Sequence, residues 1–428
     1  MDRLLRVGID ARIPDGQYGG VQQWVIGLAN ALAQLDAGSE EYWFLVDPGQ
    51  DNWLKPYLGG PCRLLPRRRR PFLRRAAGRA RTWGSRLRAR AADAWPDALP
   101  MPRTLANSSA QAPLPRSDGT VERAGLDVMH FTMQNGFLTG VPSIYQPWDL
   151  QHLHLPEFFT AEQRGWRERT YRAYCDQAAL VVVASTWVKR DVAVQYGVAP
   201  DRIAVINVPP PTAAYSEPTP EETRAIARRL HLPERFVYYP AQTWPHKNHV
   251  RLLEALGLLR DQGIVVPLVC SGLPNEWFGQ VAATADRLDL ADDVHFLGFL
   301  EPAAVQVLYR TARALVFPSL YEGWGIPIVE AFQAGLPVAC SNVTSLPELV
   351  GDAALVFDPY DPGAMAASIR SVWTDDALAA ELARRGREVI RRFDWHRTAL
   401  TMRAHYRKVA GHDLKPEDLA LLEQVSSV

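Results

Sequence analysis

Cysteine is scarce. The 428 residues hold four, Cys62, Cys175, Cys270 and Cys340, scattered without the paired spacing of a zinc site, a redox pair or a disulfide framework. They read as core thiols. The chain also lacks an excess of either charge, with 47 basic residues against 47 acidic ones. Bulk charge therefore predicts no nucleic-acid or membrane partner, and only its distribution could. No apolar run approaches the length that spans a bilayer. The opening stretch Met1 to Asp10 carries charges inside its one apolar run, unlike a signal peptide, so the expected location is cytoplasmic. Asp-x-Asp occurs nowhere, and no internal repeat shorter than a domain is evident.

What is present is an ordinary soluble composition, 47% apolar and 22% charged, in a chain longer than one core usually serves. Two domains of roughly 200 residues are expected. From about Phe236 strand-like runs (Phe236 to Tyr239, Pro267 to Cys270, Val294 to Leu297, Ala314 to Phe317, Pro337 to Cys340, Ala354 to Phe357) alternate with helical segments, the rhythm of a parallel, doubly wound sheet. Asn248 suits the cap of the helix through Leu259, and Pro302 the opening of the helix before Val316. The first half alternates more loosely, with strands at Val7 to Asp10, Tyr42 to Val46, Val128 to Phe131, Ser143 to Tyr145, Leu180 to Ala184 and Ile203 to Ile206. Ser185 can cap a helix that Gly197 ends. The Pro-rich stretch Pro209 to Pro220 is a plausible stiff linker. These signals divide the chain into residues 1–215, 216–392 and a closing segment 393–428.

The densest chemistry lies between Tyr321 and Gly335, where Glu322 and Glu330 stand eight positions apart around a glycine-rich turn. The strand Ala314 to Phe317 precedes it, Pro318 and Ser319 end that strand, Pro327 suits a first helical position and Gly335 the residue past a helix end. Glu322 then sits in a loop, Glu330 on a helix's early turns, and the amides near Gly323, Trp324, Gly325 and Ile326 are open to an anion. Two hydroxyl-binding carboxylates around a phosphate site suit a nucleotide sugar. A second anchor, Pro240 to His249, follows the strand ending at Tyr239. In a doubly wound sheet ligands sit beyond the carboxyl ends of strands, so Lys247 there can meet a diphosphate. In the first half Gly19 and Gly20 open a helix of apolar period, with Gln22 a lesser candidate, and the loop Gln146 to Pro156 is dense in polar groups.

Glu-x7-Glu enclosing Gly-Trp-Gly-Ile-Pro resembles the donor-site signature of the retaining glycosyltransferases of family 4, and the resemblance covers nearly the whole chain. It implies an α/β protein of the GT-B fold, two doubly wound Rossmann-like domains facing across a cleft, with closing helices that return to the first domain. It assigns the donor sugar to Glu322, the nucleotide ribose to Glu330, the diphosphate to Lys247, and contact with donor phosphate and acceptor to Gly19 and Gly20. Two departures stand out. Ala241 occupies the place of the family's arginine beside the lysine, leaving Lys247 to act with backbone amides or His246. Trp148 replaces the histidine of a His-Asp pair near the reacting sugar, while Asp149 remains. Either His152 or His154 takes over, or the site works through Asp149 and backbone groups, or catalysis is weakened.

The expected activity is retaining transfer of a hexose from a nucleoside-diphosphate sugar to a hydroxyl of a glycan or polyprenyl-linked glycan. No cofactor and no metal are expected. The runs around Lys247 and Asp149 look most like bacterial O-polysaccharide mannosyltransferases, which makes GDP-mannose the first donor guess. A nucleotide-sugar epimerase of the same architecture and a catalytically impaired donor-binding scaffold are the alternatives. Separately, eleven arginines crowd Pro66 to Arg90, with Phe72, Ala76, Ala80, Trp83 and Leu87 drawing one apolar stripe. Such a helix suits either an anionic membrane surface, the protein lying peripherally at the inner face of the plasma membrane, or docking on its own domain with a solvated basic back. No recognition module for nucleic acid accompanies it. Residues 101–120, rich in Pro, Ser and Gly, read as a mobile loop.

Overall fold

The computed structural model describes residues 3–14, 19–35, 38–66, 112–211 and 217–426. The stripe from Phe72 to Leu87 with Arg67 to Arg90, residues 101–111 of the expected loop, and residues 212–216 of the linker lie outside the described residues.

Among the described residues thirteen strands form two all-parallel sheets. The first comprises β1 (Leu5–Asp10), β2 (Glu40–Val46), β3 (Cys62–Pro66), β4 (Val128–Phe131), β5 (Ser143–Tyr145), β6 (Leu180–Val183) and β7 (Ile203–Val205), in the spatial order β3-β2-β1-β4-β5-β6-β7. The second comprises β8 (Val237–Pro240), β9 (Leu268–Ser271), β10 (Val294–Phe296), β11 (Ala314–Phe317), β12 (Val338–Ser341) and β13 (Leu355–Phe357), ordered β10-β9-β8-β11-β12-β13. Central strands read as unbroken apolar runs because helices cover both faces. All four residues of β11 are fully buried. Twelve strands stand where the sequence puts them, within a residue or two at their ends. The thirteenth, β3, pairs with β2 at the sheet edge and ends at Pro66, a position where a missing N–H costs little.

In the second sheet the order reverses at β8 and β11, so the loops following those two strands flank a topological switch point, the crevice where ligands bind in such sheets. β1 and β4 make the corresponding point in the first sheet.

Helix Trp395–Ala410 leaves the second half and packs on helix Gly19–Ala33 of the first. Gly27 permits this approach, because a Cβ there would strike the Trp395 indole. Trp24 and Trp395 lie 5.5 Å apart. The Tyr406 hydroxyl is 2.9 Å from His130 Nδ1 under β4, and Arg407 sits in a buried ion-pair network with Glu40 and Asp418. The crossing between the halves is held by two indoles: Trp324 Nε1 donates to the Val208 carbonyl at 3.1 Å and Trp395 Nε1 to that of Pro210 at 2.8 Å. All four cysteines are buried and unpaired. Among the described residues no helix is long and apolar enough to cross a membrane, and no cluster of three or more His, Cys, Asp or Glu is placed to hold a metal.

Candidate functional site

The site is assembled at the switch point of the second sheet. After β8 the chain turns through Pro245–Lys247 into helix His249–Asp261. Asn248 occupies the cap position but makes no side-chain cap. It adopts the left-handed conformation, φ 62°, and its Nδ2 donates to the carbonyls of Pro318 at 3.0 Å and Pro359 at 2.8 Å. The expected capping residue thus ties the lysine turn to the loop after β11. A further bond does the same, the Leu320 amide donating to the His246 carbonyl at 2.7 Å, while the Tyr239 hydroxyl on β8 holds the turn from beneath by donating to the Lys247 carbonyl at 2.6 Å.

This lacing brings Lys247 Nζ to 2.5 Å from Glu322 Oε1, with both side chains largely buried. The ammonium also lies 5.7 Å from the centre of the Phe317 ring. Glu322 is fixed from below: its amide donates to Thr344 Oγ1 at 3.1 Å and its carbonyl accepts from Ser345 Oγ at 2.9 Å. Helix Ile326–Ala334 begins at Gly325, φ 106°, and ends at Gly335, φ 70°, a left-handed stop that glycine adopts without strain. The amides of Gly323 to Ile326 have no acceptor among the described residues, leaving the donors of a helix N-terminus unpaired next to Glu322. Glu330, half-buried on the same helix, accepts from the buried Tyr309 hydroxyl at 2.7 Å. That bond orients the carboxylate.

The first half closes over this loop. A Cβ at Gly323 would collide with the Trp148 carbonyl oxygen and reach 3.3 Å from Asp149 Cβ. Ser185 Oγ accepts from the Val188 amide at 3.2 Å, capping helix Thr186–Tyr196, and donates to the Gly323 carbonyl at 3.0 Å. Glu348 of the second half accepts from the Thr186 and Trp187 amides at 2.8 and 3.1 Å, so one domain caps a helix of the other. Gly20 lies against Ile326, since a Cβ there would come 2.7 Å from Ile326 Cδ1, while Gly19 faces open space.

Of the sequence-derived candidates, Lys247, Glu322, Gly323, Ile326, Gly20 and Asp149 therefore meet. Burial raises the Asp149 carboxyl above its usual range, opposed by the Gln151 amide and by the cations Arg167 and Lys247. His152 is placed otherwise. It is buried among Tyr171, Tyr196 and Glu168, and that burial depresses its imidazole to about 4. A packed, neutral ring in the core is not positioned as an acid-base group. His154 lies at the domain contact, 2.8 Å from Asp191 and stacked on Tyr321 at 5.3 Å. Trp148, with φ 68°, donates its Nε1 to the Thr132 carbonyl at 2.8 Å and packs edge-on to Trp24. The Trp324 ring is no ligand contact either: it is buried edge-on to Phe393.

Comparison with known proteins decides the family. Residues 222–389 match the family described as glycosyl transferases group 1. Over 261 residues, 60% of this chain and 68% of the relative, the sequence is 31% identical to the O-antigen chain mannosyltransferase B of Escherichia coli. The chain belongs to the group 1 glycosyltransferases. It is also 31% identical over 183 residues to a serotype-specific mannosyltransferase of Escherichia coli, WbdA, of whose length it spans 22%. The Anabaena HepE structure in complex with UDP and glucose superposes with a TM-score of 0.68 at 18% identity, covering 94% of this chain and all of that one. Fold and family thus agree with the resemblance carried by Glu322 to Glu330, and the two facing Rossmann-like domains are the GT-B arrangement.

Several residues of this glycosyltransferase's site were not legible beforehand. Glu348 and Tyr309 act through partners distant in sequence. Arg167 sits on the arginine-rich helix Ala161–Gln177, where one more basic residue raises no signal.

Proposed function

We propose that this glycosyltransferase moves a hexose, first mannose from GDP-mannose, to a hydroxyl of a glycan or polyprenyl-linked glycan during cell-surface polysaccharide assembly. The observation that carries the reading is the Lys247–Glu322 pair, 2.5 Å apart at the switch point beneath the open amides of Gly323 to Ile326. One cation and a helix N-terminus suit a departing diphosphate, whose charge is the main electrostatic demand of such a reaction. Glu322 orients the hexose and Glu330, held by Tyr309, the ribose. Retention follows if the leaving diphosphate takes the acceptor's proton on the same face: the C1–phosphate oxygen bond breaks, the acceptor oxygen bonds C1, and the proton ends on the diphosphate. Asp149 lines the reacting side, and protein groups rather than a metal neutralise the phosphates. The mannosyl reading is supported by the Escherichia coli relatives, both mannosyltransferases by name, and the nucleotide-sugar donor by the UDP and glucose bound to HepE.

A panel of nucleotide sugars in a donor-hydrolysis assay tests it. Wild type should release sugar from one donor, GDP-mannose first, and Lys247→Ala and Glu330→Ala should each weaken nucleotide binding about 10- to 100-fold with the fold intact. Unchanged affinity in both variants refutes the site. A new sugar formed from donor alone would mean an epimerase, and no turnover at all a scaffold, the outcome that Ala241 and Trp148 make worth testing. For the segment Arg67 to Arg90, peripheral attachment to an anionic inner membrane face predicts that co-sedimentation with anionic vesicles falls when Arg67 to Arg70 are neutralised. Equal sedimentation assigns that segment to its own domain.

A further inference from the structure

The diphosphate site described above has one lysine and, at Ala241, no arginine beside it. The missing charge has a candidate on the opposite domain. Helix Ala161–Gln177 is started by a reciprocal cap, Thr160 Oγ1 accepting from the Gln163 amide at 3.1 Å and Gln163 Oε1 from the Thr160 amide at 2.9 Å. That start fixes the next turn, which carries Arg167 and Glu168 in succession. Glu168 is engaged with Arg172 at 2.7 Å and with the Tyr196 hydroxyl at 3.3 Å. The Arg167 side chain makes no hydrogen bond or ion pair among the described residues, while its carbonyl accepts from Thr170 Oγ1 at 3.2 Å. Its guanidinium, half-buried, lies 4.7 Å from the centre of the Phe159 ring.

Phe159 adjoins the domain contact. Its neighbour Phe158 packs in a small apolar cluster with Leu155, Leu320 and Tyr321, and the Leu320 amide is the one bonded to the His246 carbonyl. Arg167 is thus anchored on the residue next to the cluster that joins the Asp149 side of one half to the His246–Lys247 turn of the other. Its charge acts on both sides of the domain contact, opposing the burial that raises Asp149 and adding to the burial that pushes His246 well below its ordinary range. A guanidinium without an acidic partner among the described residues, on a half-buried residue whose charge reaches His246 beside Lys247, is suited to forked hydrogen bonding to phosphate oxygens.

We propose, resting on the donor-site reading above, that Arg167 is the second cation of the diphosphate site, supplied by the first domain in place of the arginine that position 241 lacks. The charge that grips the leaving group then comes from both halves. Diphosphate binding is coupled to their approach.

The test is titration calorimetry with GDP and UDP against GMP and UMP, on wild type, Arg167→Ala, Arg167→Lys, Lys247→Ala and the double variant Arg167→Ala with Ala241→Arg. For whichever diphosphate binds wild type, Arg167→Ala should weaken affinity roughly tenfold while the matching monophosphate changes less than about twofold. Arg167→Lys should keep most of the binding, and Ala241→Arg should restore most of what Arg167→Ala loses. Equal weakening of mono- and diphosphate, no weakening of either, or no restoration by Ala241→Arg overturns the proposal. So does a variant that binds diphosphate normally but shows a raised KM for a polyprenyl-diphosphate-linked acceptor, which would assign the arginine to the other diphosphate. If Lys247→Ala leaves diphosphate affinity unchanged, the donor site itself is misplaced, a failure distinct from that of Arg167 alone.

Discussion

The loop after β11 and the loop after β5 meet at one point and are built in opposite ways. The first is written locally: Gly323, Gly325 and Pro327 shape the turn, Glu322 and Glu330 follow at fixed spacing, and the helix Ile326–Ala334 is punctuated at both ends by glycine. The second is held from a distance. Trp148 takes φ 68°, uncommon for a bulky residue, and is kept there by Thr132, by Trp24 and by the backbone of Gly323. A site half built by local geometry can be read from a motif, whereas a half built by tertiary contact cannot.

The sharpest way to break the comparison is Gly323→Val. A side chain at this position must displace the Trp148 carbonyl, part of a backbone already fixed by its neighbours. Donor turnover should fall by roughly two orders of magnitude or more, with destabilisation of about 1–3 kcal/mol by thermal unfolding. Near-normal turnover would show that the two loops need not touch.

Acidification probes both halves together. Burial depresses His130 and His249 to about 3 and His152 and His405 to about 4, so all four are neutral in the folded protein. The unfolded chain binds protons on these rings near the ordinary pKa of ~6.5 while the folded chain does not, so their contribution is present above that pH and lost as pH falls from there toward 4. Each group can cost up to ~1.4 kcal/mol per pH unit within that window. The midpoint of thermal unfolding should therefore drop between pH 7 and pH 5, and His405→Leu, on the helix that returns to the first half, should flatten the slope. An unaltered slope would mean that this ring is open to solvent.

The smallest effect is expected at Glu348→Ala, which removes the carboxylate that caps helix Thr186–Tyr196 across the domain contact. By analogy with ordinary caps the loss is about 1 kcal/mol. It should appear as a lower melting temperature with donor affinity little changed. A large loss of affinity instead would place Glu348 at the ligand.

Sequence reading recovered the paired sheets because parallel strands buried on both faces leave unbroken apolar runs, and it missed β3 because Cys62–Pro66 is short, ends in proline and runs into arginine. Ser185 and Gly197 were legible as helix ends, and the structure has the Val188 amide on Ser185 Oγ and Gly197 at φ 67°. Asn248 looked the same on paper, but its side chain serves two carbonyls on other loops. Trp324 sits inside the motif yet packs away from the crevice, since a motif gives spacing and not direction. His152 and His154, two positions apart on one short helix, part company for the same reason. One turns into the core and the other toward Tyr321.

The indoles of Trp324 and Trp395 grip the backbone at Val208 and Pro210, close to where the chain crosses from one half to the other. Two rings fasten one short span of the crossing, each from a different element. One fastening belongs to the C-terminal return, so trimming the chain before Trp395 removes it, although Lys247, Glu322 and Glu330 all lie upstream of the cut.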